Sequence, residues 1–100
     1  MKIVRSKVGV PIRLTEERWQ HIIKGHPELK NYQNEVLETV AQPDEIYQGA
    51  QGELLAVRKI TENKFLIVVY REIGQENGFI ITAFLTSKKK KLERRPKIWP

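Results

Sequence analysis

The chain has 100 residues and a mass of 11.7 kDa, which is room for one domain with a modest hydrophobic core. It contains no cysteine, which excludes a disulfide scaffold, a thiolate zinc site and a cysteine nucleophile. No apolar run approaches the about 18 residues of a membrane span, and the N-terminus lacks the uncharged core of a secretory signal. The composition therefore predicts a single soluble domain in the cytoplasm, with no membrane partner.

The net charge of +6 is concentrated at the C-terminus. Residues 87–100 hold seven basic side chains and one acidic side chain, whereas residues 1–86 hold eleven of each. We therefore divide the chain into a domain, residues 1–87, and a basic tail, residues 88–100. Such a tail suits a polyanion, because binding releases counterions, although a run that only aids solubility has the same composition. The tail residues expected to contact a nucleic acid are Lys88, Lys89, Lys90, Lys91, Arg94 and Arg95.

Two amphipathic helices are predicted in the first half of the chain. Thr15 can cap the first, which is expected over Glu16–Lys24 and ends at Gly25. Its apolar residues recur with the spacing of one helix face. The second helix is expected from Asn31 or Gln33 to Ala41.

From Glu45 onward the pattern is typical of β-strands. They are predicted over Glu45–Gln48, Glu53–Ile60, Lys64–Glu72 and Phe79–Thr86, with a further short strand near Ile3–Val8. This order predicts an α+β fold, in which two N-terminal helices pack on a three- to four-stranded antiparallel meander sheet.

One predicted strand is apolar at every position from Phe65 to Tyr70, which indicates that both faces of the sheet are covered. Two short helices cover only one face. For the other face the sequence leaves several covers open: the N-terminal arm, the Ile98–Trp99 end, a second copy of the chain, or an antitoxin-like partner.

The two histidines lie close together in the sequence. His21 falls opposite the apolar stripe of the first helix, where a histidine is usually plain surface. His26 follows the helix end, between Gly25 and Pro27, where a rigid backbone positions a polar side chain; its alternative is a bond to a backbone carbonyl. Their spacing across a helix break is no standard metal-ligand pattern, so we expect neither a metal nor another cofactor.

Two polar residues stand out on the predicted strands. Arg71 ends a central strand, and Thr82 interrupts an apolar run, although threonine is also a good strand former. The hairpin register cannot be read from sequence, so they are not assigned to one face. Histidine, hydroxyl and arginine groups suit RNA cleavage by the 2′-OH, which needs a base, an acid and a cation for the phosphate.

Four motifs in this order carry a resemblance to a known family over about residues 12–90. They are Trp19-Gln20-His21-Ile22 with His26-Pro27-Glu28, then Gln42–Ile46, then Phe65–Tyr70, then Gly78–Phe84 before the basic tail. Together they resemble the phage and bacterial nuclease-toxin group related to barnase, EndoU, colicin and RelE. The resemblance implies helices packed on a curved four-stranded antiparallel sheet, and a metal-independent endoribonuclease of toxin or phage-conflict settings.

The resemblance also implies a site. His26 would be general base or acid, His21 its partner, Arg71 would meet the phosphate charge, and Thr82 would orient the substrate. No dedicated second acid–base residue stands out on the sheet. A nucleic-acid-binding module that does not cut therefore stays open, as does a protein-interaction module. Besides RNA, the implied partner is an antitoxin or immunity protein, or a second copy bound through the second sheet face.

Overall fold

The structure is a computed structural model that describes every residue from Met1 to Pro100. Its strands are β1 (Lys2–Arg5), β2 (Pro11–Leu14), β3 (Glu45–Gln48), β4 (Leu54–Thr61), β5 (Lys64–Glu72), β6 (Gly78–Thr86) and β7 (Lys97–Trp99). Its helices are α1 (Glu16–Gly25), α2 (Gln33–Ala41) and two 3-10 helices, Pro27–Leu29 and Lys89–Arg94. None of these helices has the length and apolar character needed to cross a membrane.

The protein is an α+β fold, but the predicted three- to four-stranded antiparallel meander is wrong. One mixed sheet of seven strands runs in the order β1-β2-β6-β5-β4-β3-β7. Strand β2 pairs parallel to β6 at Arg13 and Phe79, while the other pairings are antiparallel. Two strands precede α1, so the helices are not the N-terminal elements. The strands missing from the prediction, β2 and β7, have four and three residues, and their pairings with β6 and β3 join segments far apart in the sequence, which local periodicity does not reveal.

Helix α1 lies beside β6. The Thr15 side chain accepts a hydrogen bond from the Arg18 N–H at 3.0 Å, which caps the helix start. Trp19 and Ile22 are buried in the main core, and the Arg18 guanidinium donates to the Ile81 carbonyl of β6 at 3.5 Å. The helix therefore packs alongside β6.

The two faces of the sheet have different cores. We call the side covered by α1 and α2 the helix face; there Leu66, Val68 and Tyr70 of β5 join the main core. We call the opposite side the outer face. Its smaller core contains Ile67 of β5 and Leu92 of the second 3-10 helix.

The outer face is thus covered in part by Leu92, a residue of the basic tail that the sequence did not single out. The Ile98–Trp99 end was one of the segments predicted to cover this second face of the sheet. In the structure, Ile98 and Trp99 line a cavity with Ile46 and Tyr70. Because Ile46 and Tyr70 alternate with outer-face residues, that cavity belongs to the other side of the sheet. The tail is therefore part of the folded sheet and brings its charges to the outer face.

Candidate functional site

An open groove of about 360 Å³ lies on the outer face, between β6 and the second 3-10 helix. Its lining residues are Leu55, Phe84, Thr86, Lys88, Lys91, Leu92 and Arg95, and we call it the basic groove. Apolar side chains and a hydroxyl come from the sheet, and three cations come from the tail. None of the three cations forms an ion pair. The groove is therefore positively charged along one wall and apolar at its base.

Glu45 on β3 holds the tail in place over the outer face. The Nζ atoms of Lys89 and Lys97 lie 2.5 Å and 2.8 Å from its two carboxylate oxygens. Burial acts to raise the pKa of Glu45, but the two ammonium groups outweigh it and hold that pKa below its ordinary value. The same contacts raise the pKa of Lys89 and of Lys97. We call these three residues the Glu45 clamp.

His26 lies beside Phe84, which lines the groove. It follows the last turn of α1, and its N–H donates to the Ile22 carbonyl at 2.8 Å. The imidazole and phenyl ring centres are 6.2 Å apart with the planes tilted by 34°. Its Nδ1 is 3.7 Å from a carboxylate oxygen of Glu28, and 39% of its side chain is exposed. The end of α1 therefore places an accessible imidazole at the groove edge.

His21 lies elsewhere on α1. It is exposed and lines a shallow cavity with Thr15, Glu17 and Arg18. Five residues along a helix correspond to about 7.5 Å and about 140° of rotation. The structure therefore does not bring the two histidines together.

Arg71 and Thr82 share the outer face, which sequence alone left open. Thr82 is opposite Val69, and Arg71 is opposite Phe79. A β-bulge at Ile81 shifts the pairing, so that Thr82 faces outward two residues after a core residue. Arg71 donates to the Gln51 carbonyl at 2.7 Å. Neither Arg71 nor Thr82 lines the groove itself.

The six predicted RNA-binding residues of the tail have different environments. Lys88, Lys91 and Arg95 line the groove, whereas Lys90 and Arg94 are exposed outside its lining. Lys89 is held by Glu45 and also stands 5.6 Å above the Phe65 ring.

Phe84 is a groove residue that sequence reasoning missed. Within the apolar run of β6 it is typical of a core position, and only its alternation with Thr82 and Thr86 points to a shared face. Leu55 and Leu92 carried no signal beyond apolarity. No three histidine, aspartate or glutamate side chains gather as a group that could hold a metal ion.

A family model described as phage-Barnase-EndoU-ColicinE5/D-RelE like nuclease2 matches residues 1–98. The match extends from β1 into β7, so it includes the helix that carries His26, the sheet and the whole basic groove. None of the curated proteins and none of the solved structures compared with the chain matches it significantly.

Proposed function

Since the chain belongs to the phage-Barnase-EndoU-ColicinE5/D-RelE like nuclease2 family, we propose that this nuclease is a metal-independent endoribonuclease that cuts RNA by attack of the 2′-OH. The observation that carries the proposal is the basic groove with His26 at its edge. A phosphate, a base and a proton-transfer group can meet there, on one face of a rigid sheet.

The groove is suited to a phosphate. Lys88, Lys91 and Arg95 carry charges that no carboxylate neutralises. Cations fixed in this way stabilise the extra negative charge that a phosphate acquires in the transition state. No carboxylate lines the groove, so this donor set fits a phosphate held directly by positive side chains.

His26 is the proposed proton-transfer group. In the reaction, the 2′-oxygen forms a bond to phosphorus while the bond from phosphorus to the 5′-oxygen breaks. One group takes the 2′-OH proton and another gives a proton to the leaving 5′-oxygen, and an imidazole suits either role. The products are a 2′,3′-cyclic phosphate and a 5′-OH.

Arg71 and Thr82 are proposed to act beyond the groove. They lie on the outer face, outside the groove lining and on the side toward the start of β6, so we assign them to the RNA strand on that side of the scissile bond. The geometry favours a smaller role for His21, because this residue is exposed away from Phe84.

Incubation of the purified protein with total RNA in excess EDTA tests the proposal. We expect discrete fragments that end in a 2′,3′-cyclic phosphate. These fragments should be absent with His26→Ala, with a melting temperature near the wild-type value as proof of folding. Cleavage that EDTA abolishes, or that His26→Ala leaves intact, would contradict the mechanism.

A nucleic-acid-binding module that does not cut is the second candidate. One observation favours it: a single histidine, with no second one beside it, stands at the groove. Intact RNA that is nonetheless shifted in a gel would support this candidate. If the RNA is neither cleaved nor shifted, both candidates are contradicted. A protein partner, such as an antitoxin or a second copy, would then be the ligand to seek.

A further inference from the structure

A second open cavity, of about 500 Å³, adjoins the basic groove at the end of β6. Its lining residues are Thr61, Asn63, Lys64, Leu85, Thr86 and Ser87, and we call it the hairpin cavity. The first three come from the β4–β5 hairpin and the others from the end of β6. Thr86 lines both cavities, so they are neighbours on the surface.

Five of the six residues that line the hairpin cavity are polar or charged, and Lys64 gives the lining a net positive charge. Lys64 forms no ion pair. The one carboxylate of the hairpin turn, Glu62, is 3.3 Å from Lys59 Nζ and does not line the cavity. A free ammonium group thus lines the cavity next to the basic groove.

The remaining polar groups suit a base or a ribose. Asn63 offers both an amide donor and an amide acceptor, and Thr61 and Ser87 offer hydroxyls. Such groups recognise the exposed edges of unpaired bases and the ribose hydroxyl, while a lysine holds the phosphate between two nucleotides.

We propose that the hairpin cavity is a subsite for the nucleotide adjacent to the one held in the basic groove, with Lys64 on the linking phosphate and Asn63 on the base. This inference rests on the proposed function, since it assumes that RNA occupies the groove. It makes the substrate a single-stranded segment of at least two consecutive nucleotides on the protein.

Binding of uncleavable RNA tests the subsite apart from catalysis. We would measure fluorescence anisotropy with a 2′-O-methyl mononucleotide, which can occupy only the groove, and a 2′-O-methyl pentanucleotide, both of which lack the attacking hydroxyl. The wild-type protein should bind the pentanucleotide more tightly. Asn63→Ala combined with Lys64→Ala should weaken binding of the pentanucleotide about tenfold and leave binding of the mononucleotide unchanged, since a hydrogen bond and a phosphate contact are lost.

Lys2→Ala is the matched control, because it removes one exposed lysine from β1, an edge strand that lines neither cavity. Lys64→Gln serves as a milder variant if the double variant melts below the wild type. Unchanged pentanucleotide binding in both hairpin variants, or an equal loss for the two lengths, would overturn the subsite. Failure of the wild-type protein to bind either length would overturn the proposed function as well.

Discussion

The two histidines of α1 are five residues apart, yet they have different surroundings. His26 contacts the aromatic ring of Phe84 at the groove edge, whereas His21 is exposed beside Glu17 and Arg18. A histidine that takes part in proton transfer is expected to contribute about a hundred-fold or more to the rate. We therefore expect His21→Ala to retain most of the cleavage rate and His26→Ala to lose about a hundred-fold or more of it. Single-turnover cleavage of one RNA by both variants measures the two rates. A loss in His21→Ala as large as in His26→Ala would instead support the histidine pair that the resemblance implies.

Two lysines of the second 3-10 helix offer another comparison at the scale of single residues. Lys91 lines the groove without an ion pair, whereas Lys89 is held by Glu45. Lys91→Gln should weaken RNA binding and leave the melting temperature nearly unchanged, because it removes only a free surface charge. Lys89→Gln should lower the melting temperature, because it leaves the partly buried carboxylate of Glu45 with one cation instead of two. Anisotropy and thermal melting of both variants check this, and a reversed pattern would mean that the charges have been assigned wrongly.

The position of the tail on the sheet depends on one ionisable group, the carboxylate of Glu45, which pairs with Lys89 and Lys97. Since the folded-state pKa of Glu45 lies below its ordinary value of 4.5, its stabilisation is fully present above that value and is lost as pH falls through the folded-state pKa. Because the pKa values of Lys89 and Lys97 are raised in the folded state, their contribution to the folding stability is fully present below their ordinary pKa of 10.5. It is lost only as pH rises through the folded-state values. Wild-type protein should therefore be more stable than Glu45→Gln at pH 7, and the difference should narrow below about pH 4.5.

Urea unfolding at several pH values measures this difference. Glu62→Gln is the control, since that carboxylate is 90% exposed and should change stability little. A constant difference between wild type and Glu45→Gln across this range would contradict the assignment of the clamp.

The elements that sequence predicted well are those with strong local signals. The capped helix α1 and the long apolar strand β5 were placed to within about one residue of the structure. Strands β2 and β7 were not predicted, because each is short and pairs with a strand distant in sequence, and β1, expected near Ile3–Val8, is a four-residue strand over Lys2–Arg5. The tail was predicted as a separate basic segment beyond the domain, because nothing local shows that Glu45 pairs with Lys89 and Lys97.

The candidate site was predictable only in part for a related reason. The sequence predicted Lys88, Lys91 and Arg95 as members of a basic tail, and the structure places all three in the groove lining. The faces of Arg71 and Thr82 depend on a bulge at Ile81, which has no sequence signal here. Phe84 could not be distinguished from a core residue until the fold showed which face it occupies.

At the scale of the whole molecule, the tail both supplies charges to the groove and packs on the sheet, and a deletion would remove the two contributions together. Its cations line the groove, but its Leu92 is buried in the outer-face core and its β7 pairs with β3. Removal of residues 88–100 would therefore expose core and sheet edge as well as remove charge. Substitution of the charges alone separates the two roles.

The combined variant Lys88→Gln, Lys91→Gln and Arg95→Gln keeps the tail length, Leu92 and the Glu45 clamp. If each cation contacts one phosphate, the slope of log Kd against log salt for single-stranded RNA should fall by about 2. The matched control, Lys2→Gln, Lys24→Gln and Lys30→Gln, removes the same charge from exposed sites that do not line the groove, so it should change the slope far less. Equal slopes in the two variants would mean that RNA binding depends only on the net charge of the protein. That result would contradict the basic groove as the binding site.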